Sequence, residues 1–318
     1  MLFEEIIQKE NSDIMYDRWS QYRNGLTSYI LKTVEAFYIR EALRKKRQLK
    51  LKKGQMFMPD SAEKPTLAIW GAGGLNDIDA ALLAERLRLV LIDDNLEAVG
   101  RACKKYGLPE DVVCIDMKFW DIPAEKYHML EDLMSEGVEV DIISRYLREI
   151  FDKMHICNFD GLPKFDFSVV SGLASQLNAR LWRLVRSFPG YEALEPILRE
   201  YNLFAVNRLF SCVESVTGKL CMWGYEVLSS PESSGILTVC EAENELWHEV
   251  INSMPRDVFW KNLTEVSIEG SVQLDKLICE SYVNEKKSVL NGASFLWPFS
   301  DRKDYMMRFV TTYNEEEM

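Results

Sequence analysis

The stretch Leu67-Ala-Ile-Trp-Gly-Ala-Gly-Gly-Leu-Asn-Asp-Ile-Asp79 decides the fold. An apolar run enters a turn rich in glycine, and a helix is predicted to follow through about residue 86, with Asn76 or Asp77 as its cap. Glycine lets the backbone turn sharply and lets a ligand approach without an intervening side chain. Two hypotheses are open here: a nucleotide-type binding turn, or a tight strand-to-helix turn that binds nothing.

Strands and helices alternate on both sides of this turn, a pattern typical of a parallel, doubly wound sheet. We predict strands over 66–70, 87–93, 112–116, 165–170, 219–228, 293–297 and 305–313. We predict helices over 13–53, 96–106, 173–188, 191–216 and 241–253. The expected organisation is an N-terminal helical segment (1–53), a linker (54–65) and a ligand-binding domain (66–318) with a helical insertion at about 124–154.

Composition excludes several classes of protein. Apolar residues make up 47% of the 318 residues, which is enough for a buried core, so disorder is excluded. The seven cysteines form no C-x-x-C pair and the three histidines have no metal-ligand spacing, so we expect reduced thiols and no metal. The first residues are unlike a secretory signal, and no apolar run approaches about eighteen residues. We therefore expect a cytoplasmic protein without a membrane span.

Asp93 follows Gly73 by twenty residues and ends an apolar strand. This placement suits a carboxylate that accepts hydrogen bonds from both hydroxyls of a ribose. A dinucleotide motif G-x-G-x-x-G would need glycine where Asn76 stands, and no G-K-[ST] phosphate loop follows. Asp77 and Asp79 would also repel a pyrophosphate. S-adenosylmethionine has no phosphate and carries a sulfonium and an ammonium group, so nearby carboxylates favour its binding.

The glycine turn and the stretch LVLIDDNLEAV resemble motif I and the following acidic strand of class I S-adenosylmethionine-dependent methyltransferases. The turn is similar to the G-A-G-x-x-N-D-[IL]-D turn of a group of bacterial members. Phe165-Asp-Phe-Ser-Val-Val-Ser-Gly-Leu-Ala-Ser-Gln-Leu177 resembles their fourth strand and its loop, and Phe295–Phe299 with Tyr305–Val310 their closing antiparallel pair. The resemblance implies a Rossmann-like, mainly parallel sheet with an antiparallel C-terminal hairpin.

The resemblance also implies S-adenosyl-L-methionine as cofactor and a role for each matching residue. Gly71 and Gly73 would line the methionine moiety, Asp77 would approach its ammonium, and Asp93 would hold the ribose. Asp94, Asn95, Asp116 and Met117 would lie around the adenine, and Ser171 beneath the reacting methyl. The cofactor-binding residues predicted are Gly71, Ala72, Gly73, Asn76, Asp77, Asp93, Asp94, Asp116, Met117 and Ser171.

One departure from the family concerns the acceptor. Members that methylate bases or glutamine often have N-P-P-Y or D-P-P-Y after the fourth strand, whereas Ser171-Gly-Leu-Ala174 stands here. No planar nitrogen acceptor is therefore indicated. No reactive Cys or general-base His occupies a matching position, but methyl transfer can run on proximity and orientation because the sulfonium is already activated.

Three functional hypotheses follow. The first is a methyltransferase for a small-molecule or peptide acceptor, with the N-terminal helices and the 124–154 insertion closing over the substrate as a lid. The second is a non-catalytic S-adenosylmethionine-binding or interaction protein that has lost its acceptor site. The third is a nicotinamide-dependent oxidoreductase, which the composition of the glycine turn disfavours.

The basic cluster is predicted not to bind nucleic acid; it consists of Arg44, Lys45, Lys46, Arg47, Lys50, Lys52 and Lys53. The formal net charge of the chain is −12, and no aromatic residues interleave the cluster as stacking platforms. A solvated helix end explains these cations as well. We expect no micromolar binding of RNA or DNA near physiological ionic strength in fluorescence anisotropy. Salt-sensitive binding that is lost on neutralising the cluster would contradict this.

Overall fold

The computed structural model describes residues 2–3, 17–44, 63–154, 161–231, 269–284, 287–300 and 303–314. The strands are β1 (Thr66–Trp70), β2 (Arg88–Asp93), β3 (Val113–Asp116), β4 (Phe165–Ser171), β5 (Thr217–Pro231), β6 (Lys287–Ser300) and β7 (Lys303–Asn314). The helices are α1 (Ser20–Arg44), α2 (Ala80–Arg86), α3 (Leu96–Lys105), α4 (Ala124–Ser135), α5 (Val140–Lys153), α6 (Leu173–Gln176), α7 (Ala179–Arg186), α8 (Glu195–Val216) and α9 (Glu269–Asn284).

The seven strands form one sheet in the order β3-β2-β1-β4-β5-β7-β6. The pairs from β3 to β5 are parallel, whereas β7 pairs antiparallel with both β5 and β6. This confirms the predicted fold, a doubly wound and mainly parallel sheet that an antiparallel C-terminal hairpin closes. The order of the strands reverses at β1, whose two neighbours are β2 and β4.

Both faces of the sheet are buried, which explains the nearly continuous apolar runs of its strands. In β1, Leu67 and Ile69 face the core cluster that contains α1, α2 and α3. Ala68 and Trp70 face the opposite cluster, to which α8 and α9 contribute. Alternate residues of one strand thus serve two cores, so an apolar side chain is required at every position.

The long N-terminal helix is confirmed over Ser20–Arg44, and the remainder of the predicted span of 13–53 and most of the predicted linker lie outside the described residues. Helix α1 packs across the C-terminal hairpin, with the rings of Tyr22 and Tyr29 in contact with Phe295. A Cβ on Gly25 would lie 2.9 Å from the Phe295 ring, so glycine permits this close approach.

The predicted helical insertion at 124–154 corresponds to α4 and α5. Their apolar residues form a third core cluster together with α7 and the start of α8. This cluster includes Leu147 of α5 and Leu184 of α7, both completely buried. The insertion is therefore built onto the helical layer next to β4.

The C-terminal part departs most from the prediction. β5, β6 and β7 extend beyond the predicted strands, because the antiparallel hairpin continues past the end of the parallel strands with bulges near Val227 and Pro298. Helix α9 was not predicted, and the predicted helix at 241–253 lies outside the described residues. Within the described ranges, no helix is both long and apolar enough to cross a membrane.

Substitution of Gly270 by alanine should destabilise the protein. Helix α9 crosses α6 so closely at this position that an added Cβ would lie 1.9 Å from the carbonyl oxygen of Ala174. Because backbone cannot yield as a side chain tip does, we expect a loss of about 1–3 kcal/mol in the free energy of unfolding.

Gly100 in α3 offers the matched control, since a Cβ there meets nothing within 4 Å. Gly100→Ala should stabilise by roughly 0.5–1 kcal/mol because it removes the helix cost of glycine. Chemical denaturation of both variants checks the pair, and equal effects would show that the α6–α9 crossing is not the cause.

Candidate functional site

The candidate site lies where the strand order reverses, at the carboxyl ends of β1, β2 and β4. Trp70 is in register with Ile92 of β2 and Val170 of β4, so the residues that follow these strands share one edge of the sheet. In open α/β sheets a crevice forms at this edge because the connections on the two sides of the switch point diverge. The predicted site residues lie at or just beyond this edge of the sheet.

The glycine turn is fastened to the end of β2. The amides of Gly71 and Ala72 both donate to the carbonyl oxygen of Ile92, over 2.8 and 3.2 Å. The amide of Gly73 donates to Oδ2 of Asp93 over 2.7 Å. Gly71 and Gly73 have φ of +71° and +48°, a conformation that favours glycine. A Cβ on Gly73 would have only a backbone oxygen near it, at 4.0 Å, so this side of the turn is open.

Asp93 is nearly buried but keeps capacity for a ligand. Its Oδ1 accepts from the amide of Asn95 over 2.8 Å, while its Oδ2 accepts from Gly73. A carboxylate offers about four lone-pair sites, so each oxygen can accept one further hydrogen bond. A diol such as a ribose matches this pair of acceptors.

The residues predicted to surround the adenine lie next to Asp93. Asp94 and Asp116 are exposed, and Asn95 caps α3 by accepting from the amide of Ala98. Met117 is buried, and its amide donates to the carbonyl oxygen of Asp93 over 2.9 Å. Their proximity to one another is as expected, and their roles toward a ligand stay predictions.

The prediction that Asn76 or Asp77 caps the helix after the turn is wrong. Helix α2 begins only at Ala80, and its cap is Asp79, whose Oδ1 accepts from the amide of Leu82 over 3.0 Å. Asn76 instead accepts from the hydroxyl of Tyr106 over 3.1 Å. The turn is longer than predicted because Leu75 and Asn76 continue it before the helix starts. Asp77 is consequently free of the capping role.

Asp77 is a half-buried carboxylate beside β4. Burial raises its pKa to about 6, whereas hydrogen bonds from its own backbone and from Ser171 and the charge of Arg23 act in the opposite direction. The favourable contacts thus do not offset the loss of hydration. A carboxylate in this state gains stability from a cation placed next to it.

Helix α1 supplies site residues that the sequence did not reveal. The hydroxyls of Tyr22 and Ser171 are 3.0 Å apart, and Arg23 donates to the carbonyl oxygen of Asn76 over 3.1 Å. Thr27 accepts through its hydroxyl oxygen from the amide of Asp79 over 2.8 Å. The helical periodicity predicted α1 but contains no signal for the surface against which it packs.

A second buried carboxylate lies next to Gly172, the residue after Ser171. Glu226 of β5 is 3% exposed and accepts from the hydroxyls of Ser175 and Ser271, each over 2.7 Å. The first hydroxyl belongs to α6 and the second to α9. Glu226 could not be identified as a site residue from sequence, because α9 lies far from β5 along the chain and was not predicted.

Aromatic rings from the N-terminal helical segment and the C-terminal hairpin pack together near the end of β4, where the Tyr22 hydroxyl is close to that of Ser171. The ring of Trp297 stacks on Tyr22, with centroids 5.5 Å apart and an interplanar angle of 18°. Trp297 also contacts Phe299 and Tyr305, and Trp19 packs edge-on against it. We refer to Trp19, Tyr22, Trp297, Phe299 and Tyr305 as the aromatic wall.

Metal binding has no support in the part of the chain that the structure covers. Among those residues, no three His, Cys, Asp or Glu side chains are grouped so that they could hold a metal ion.

No family model matches the chain, and no curated protein matches it. Several solved structures that it is similar to are methyltransferases. The N-methyltransferase NodS from Bradyrhizobium japonicum WM9, in complex with S-adenosyl-L-homocysteine, is 12% identical with a TM-score of 0.32, covering 79% of this chain and 78% of that one.

Two further solved structures are similar. An O-methyltransferase family 2 protein from Planctomyces limnophilus, in complex with apigenin, is 9% identical (TM-score 0.37, 89% of this chain and 62% of that one). The plantazolicin methyltransferase BpumL, with a pentazolic desmethylPZN analog and S-adenosylhomocysteine, is 10% identical (TM-score 0.35, 99% and 96%).

Replacing Asp77 with asparagine should stabilise the protein near neutral pH. The folded-state pKa of about 6 exceeds the usual 3.8, so stability falls as pH rises through this window and the penalty is complete above it. Asparagine can still accept a hydrogen bond but carries no charge. Because the side chain is only half-buried, we expect a gain of about 1 kcal/mol at pH 7.5, or roughly 2 °C in Tm.

The same substitution provides its own control. At pH 4 the aspartate is largely protonated in the folded state, so the difference in Tm between the two proteins should nearly vanish. Differential scanning fluorimetry across this range checks the sign. A loss of stability at pH 7.5 would show that the Asp77 charge is already well compensated.

Proposed function

We propose that this protein binds S-adenosyl-L-methionine and is a methyltransferase for a small-molecule or peptide acceptor. The observation that carries the proposal is the pair of carboxylates on either side of the glycine turn. Asp93 holds the turn while retaining free acceptor sites, and Asp77 is short of positive charge. A ligand with a diol at one end and a cationic amine at the other satisfies both.

The residues present fit the cofactor along the whole edge. Asp93 would accept from both ribose hydroxyls, and the open side of Gly73 leaves room for the ligand next to the main chain. Asp77 would form a charge-assisted hydrogen bond with the ammonium, and Met117 would pack on the adenine. When bound, the cofactor supplies an activated methyl group on a sulfonium. The chain orients this group toward the acceptor and excludes water.

A dinucleotide fits the same residues less well. A pyrophosphate would lie close to the amides of the glycine turn, where Asp77 and Asp79 add two negative charges. This electrostatic repulsion disfavours the hypothesis that the protein is a nicotinamide-dependent oxidoreductase.

We further propose that the start of α1 acts as the lid over the methionine end of the site. Tyr22, Arg23 and Thr27 contact the glycine turn and the end of β4 from above, and the insertion of α4 and α5 follows β3 on the adenine side. On this interpretation, residues 1–53 are a covering segment and residues 66–318 the binding domain.

We also propose a cytoplasmic location, consistent with free thiols at Cys103 and Cys114.

Asp77→Asn distinguishes the two cofactors by opposite signs. With S-adenosylmethionine, the variant loses a charge-assisted bond to the ammonium, so affinity should fall about tenfold or more. With NAD, it loses a repulsion against pyrophosphate, so affinity should rise. Isothermal titration of wild type and variant with both ligands tests this. Tighter binding of NAD with unchanged binding of S-adenosylmethionine would overturn the proposed function.

Asp79→Asn is the matched control, because it removes the same charge two residues away and asparagine retains the helix cap. We expect only a small loss of S-adenosylmethionine affinity in this variant.

In the wild type, the affinity for S-adenosylmethionine should also weaken as pH falls through about 6, where Asp77 takes up its proton. The Asp77→Asn variant should lack this pH dependence. Formation of S-adenosylhomocysteine on addition of cell extract separates a methyltransferase from a non-catalytic binding protein.

A further inference from the structure

Two cysteine side chains meet on one face of the sheet, at the edge next to the candidate site. Cys114 lies in the edge strand β3, in register with Leu91 of β2. Leu91 belongs to the core cluster that contains α3, and residues in register share a face of the sheet. Val113 and Ile115, the neighbours of Cys114 in β3, pack against the opposite cluster. The side chain of Cys114 therefore points to the side on which α3 lies.

Cys103 of α3 provides the second thiol. It packs against the same cluster as Leu91, and a hydrogen bond joins its thiol to that of Cys114. The chain turns back directly after Cys103, because the amide of Leu108 donates to the carbonyl oxygen of Cys103 over 3.0 Å. Only residues 104–113 separate the two cysteines, so the short return to β3 keeps the thiols together.

The two thiols differ in their access to solvent. Both cysteines are free, but Cys114 is exposed whereas Cys103 is half-buried. Burial, followed by the neighbouring Cys114, raises the pKa of Cys103 to about 11, so this thiol stays protonated at neutral pH. An oxidant from solution therefore meets Cys114 first, with the thiol of Cys103 already in contact.

Helix α3 touches the candidate site at both of its ends. Asn95 caps its first turn, and the amide of Asn95 donates to Asp93 over 2.8 Å. Tyr106 follows its last turn, three residues after Cys103, and donates through its hydroxyl to Asn76 of the glycine turn over 3.1 Å. A covalent restraint at Cys103 would thus act on the helix that borders both the turn and the end of β2.

We propose that Cys103 and Cys114 form a reversible modification site, at which a peroxide converts the two thiols into a disulfide that joins α3 to β3. Disulfides in reducing compartments are usually transient and respond to the redox state, which agrees with a pair of free thiols held in contact. The disulfide can form whether or not a cofactor is bound, so it is tested independently of the proposed function.

The reaction balances with hydrogen peroxide as the oxidant. The thiolate of Cys114 attacks one oxygen, the oxygen–oxygen bond breaks, and the second oxygen leaves and takes up a proton to become water. This step gives a sulfenic acid. The sulfur of Cys103 then attacks the sulfur of Cys114, the sulfur–oxygen bond breaks, and the thiol proton leaves with that oxygen as a second water. Two electrons pass from the thiols to the peroxide, and a dithiol reductant reverses the change.

The test uses the full-length protein with hydrogen peroxide as the probe. Reduced protein is treated with a small excess of peroxide, the remaining thiols are alkylated, and peptide mapping by mass spectrometry without reduction locates any disulfide. We expect a pair of peptides joined through Cys103 and Cys114, which dithiothreitol separates. Cys114 found only as sulfinic acid, or in a disulfide between two molecules while Cys103 is alkylated, would overturn the proposal.

Three variants locate the cross-link. Cys103→Ser and Cys114→Ser should each abolish it. Cys279→Ser is the matched control, because Cys279 is also a half-buried thiol on a helix, where it lies 3.9 Å from Oδ2 of Asp275. This control should form the cross-link as the wild type does. Persistence of the cross-link in either of the first two variants, or its loss in the control, would overturn the assignment. Peptide mapping of the wild type decides where a variant does not fold.

Oxidation should also stabilise the protein against heat. The disulfide closes a loop over residues 103–114 and so restricts the unfolded chain. We expect Tm to rise by about 4 °C in the wild type, to return on addition of dithiothreitol, and to be unchanged in Cys114→Ser treated in the same way. A disulfide that forms but lowers Tm would show that the fold does not place α3 and β3 for this bond, which contradicts the proposal.

Discussion

The hydrogen bond from the amide of Gly73 to the carboxylate of Asp93 determines how the edge of the sheet is arranged. It joins the turn after β1 to the end of β2, and the bonds of Gly71 and Ala72 to Ile92 reinforce it. Because the two strands are parallel neighbours, this junction lies at the point where the strand order reverses. The turn is thereby held open along one side, and every other group of the candidate site is positioned relative to it.

The site holds more negative charge than stability alone would favour. Asp77 lies half-buried with its pKa raised by burial, although Arg23 and Ser171 act to lower it. Glu226, next to Gly172, is almost completely buried. Asp77 reduces stability where it remains ionised, and its retention is understandable if a ligand supplies positive charge. Two hydroxyls, those of Ser175 and Ser271, donate to Glu226.

The parallel core could be predicted from sequence because its signals are local. The run from Leu67 to Trp70, the glycines and the strand ending at Asp93 each carry their own periodicity or turn chemistry. The position of Asp93 followed from its spacing of twenty residues after Gly73 and from its place at the end of an apolar strand. The helix cap was predicted wrongly at Asn76 or Asp77, since nothing local shows that the turn continues to Asp79. Tyr22 and Glu226 could not be found, because only the packing of α1 and α9 brings them to the site.

Ser171 links Asp77, which follows the glycine turn, to Tyr22 of α1. On one side its hydroxyl interacts with Asp77, whose pKa burial raises. The same hydroxyl is 3.0 Å from that of Tyr22. Glu226 and Trp297 lie against the next residue, Gly172. In the proposed function the methyl donor would already be activated, so transfer can run on proximity and orientation without a histidine at this position.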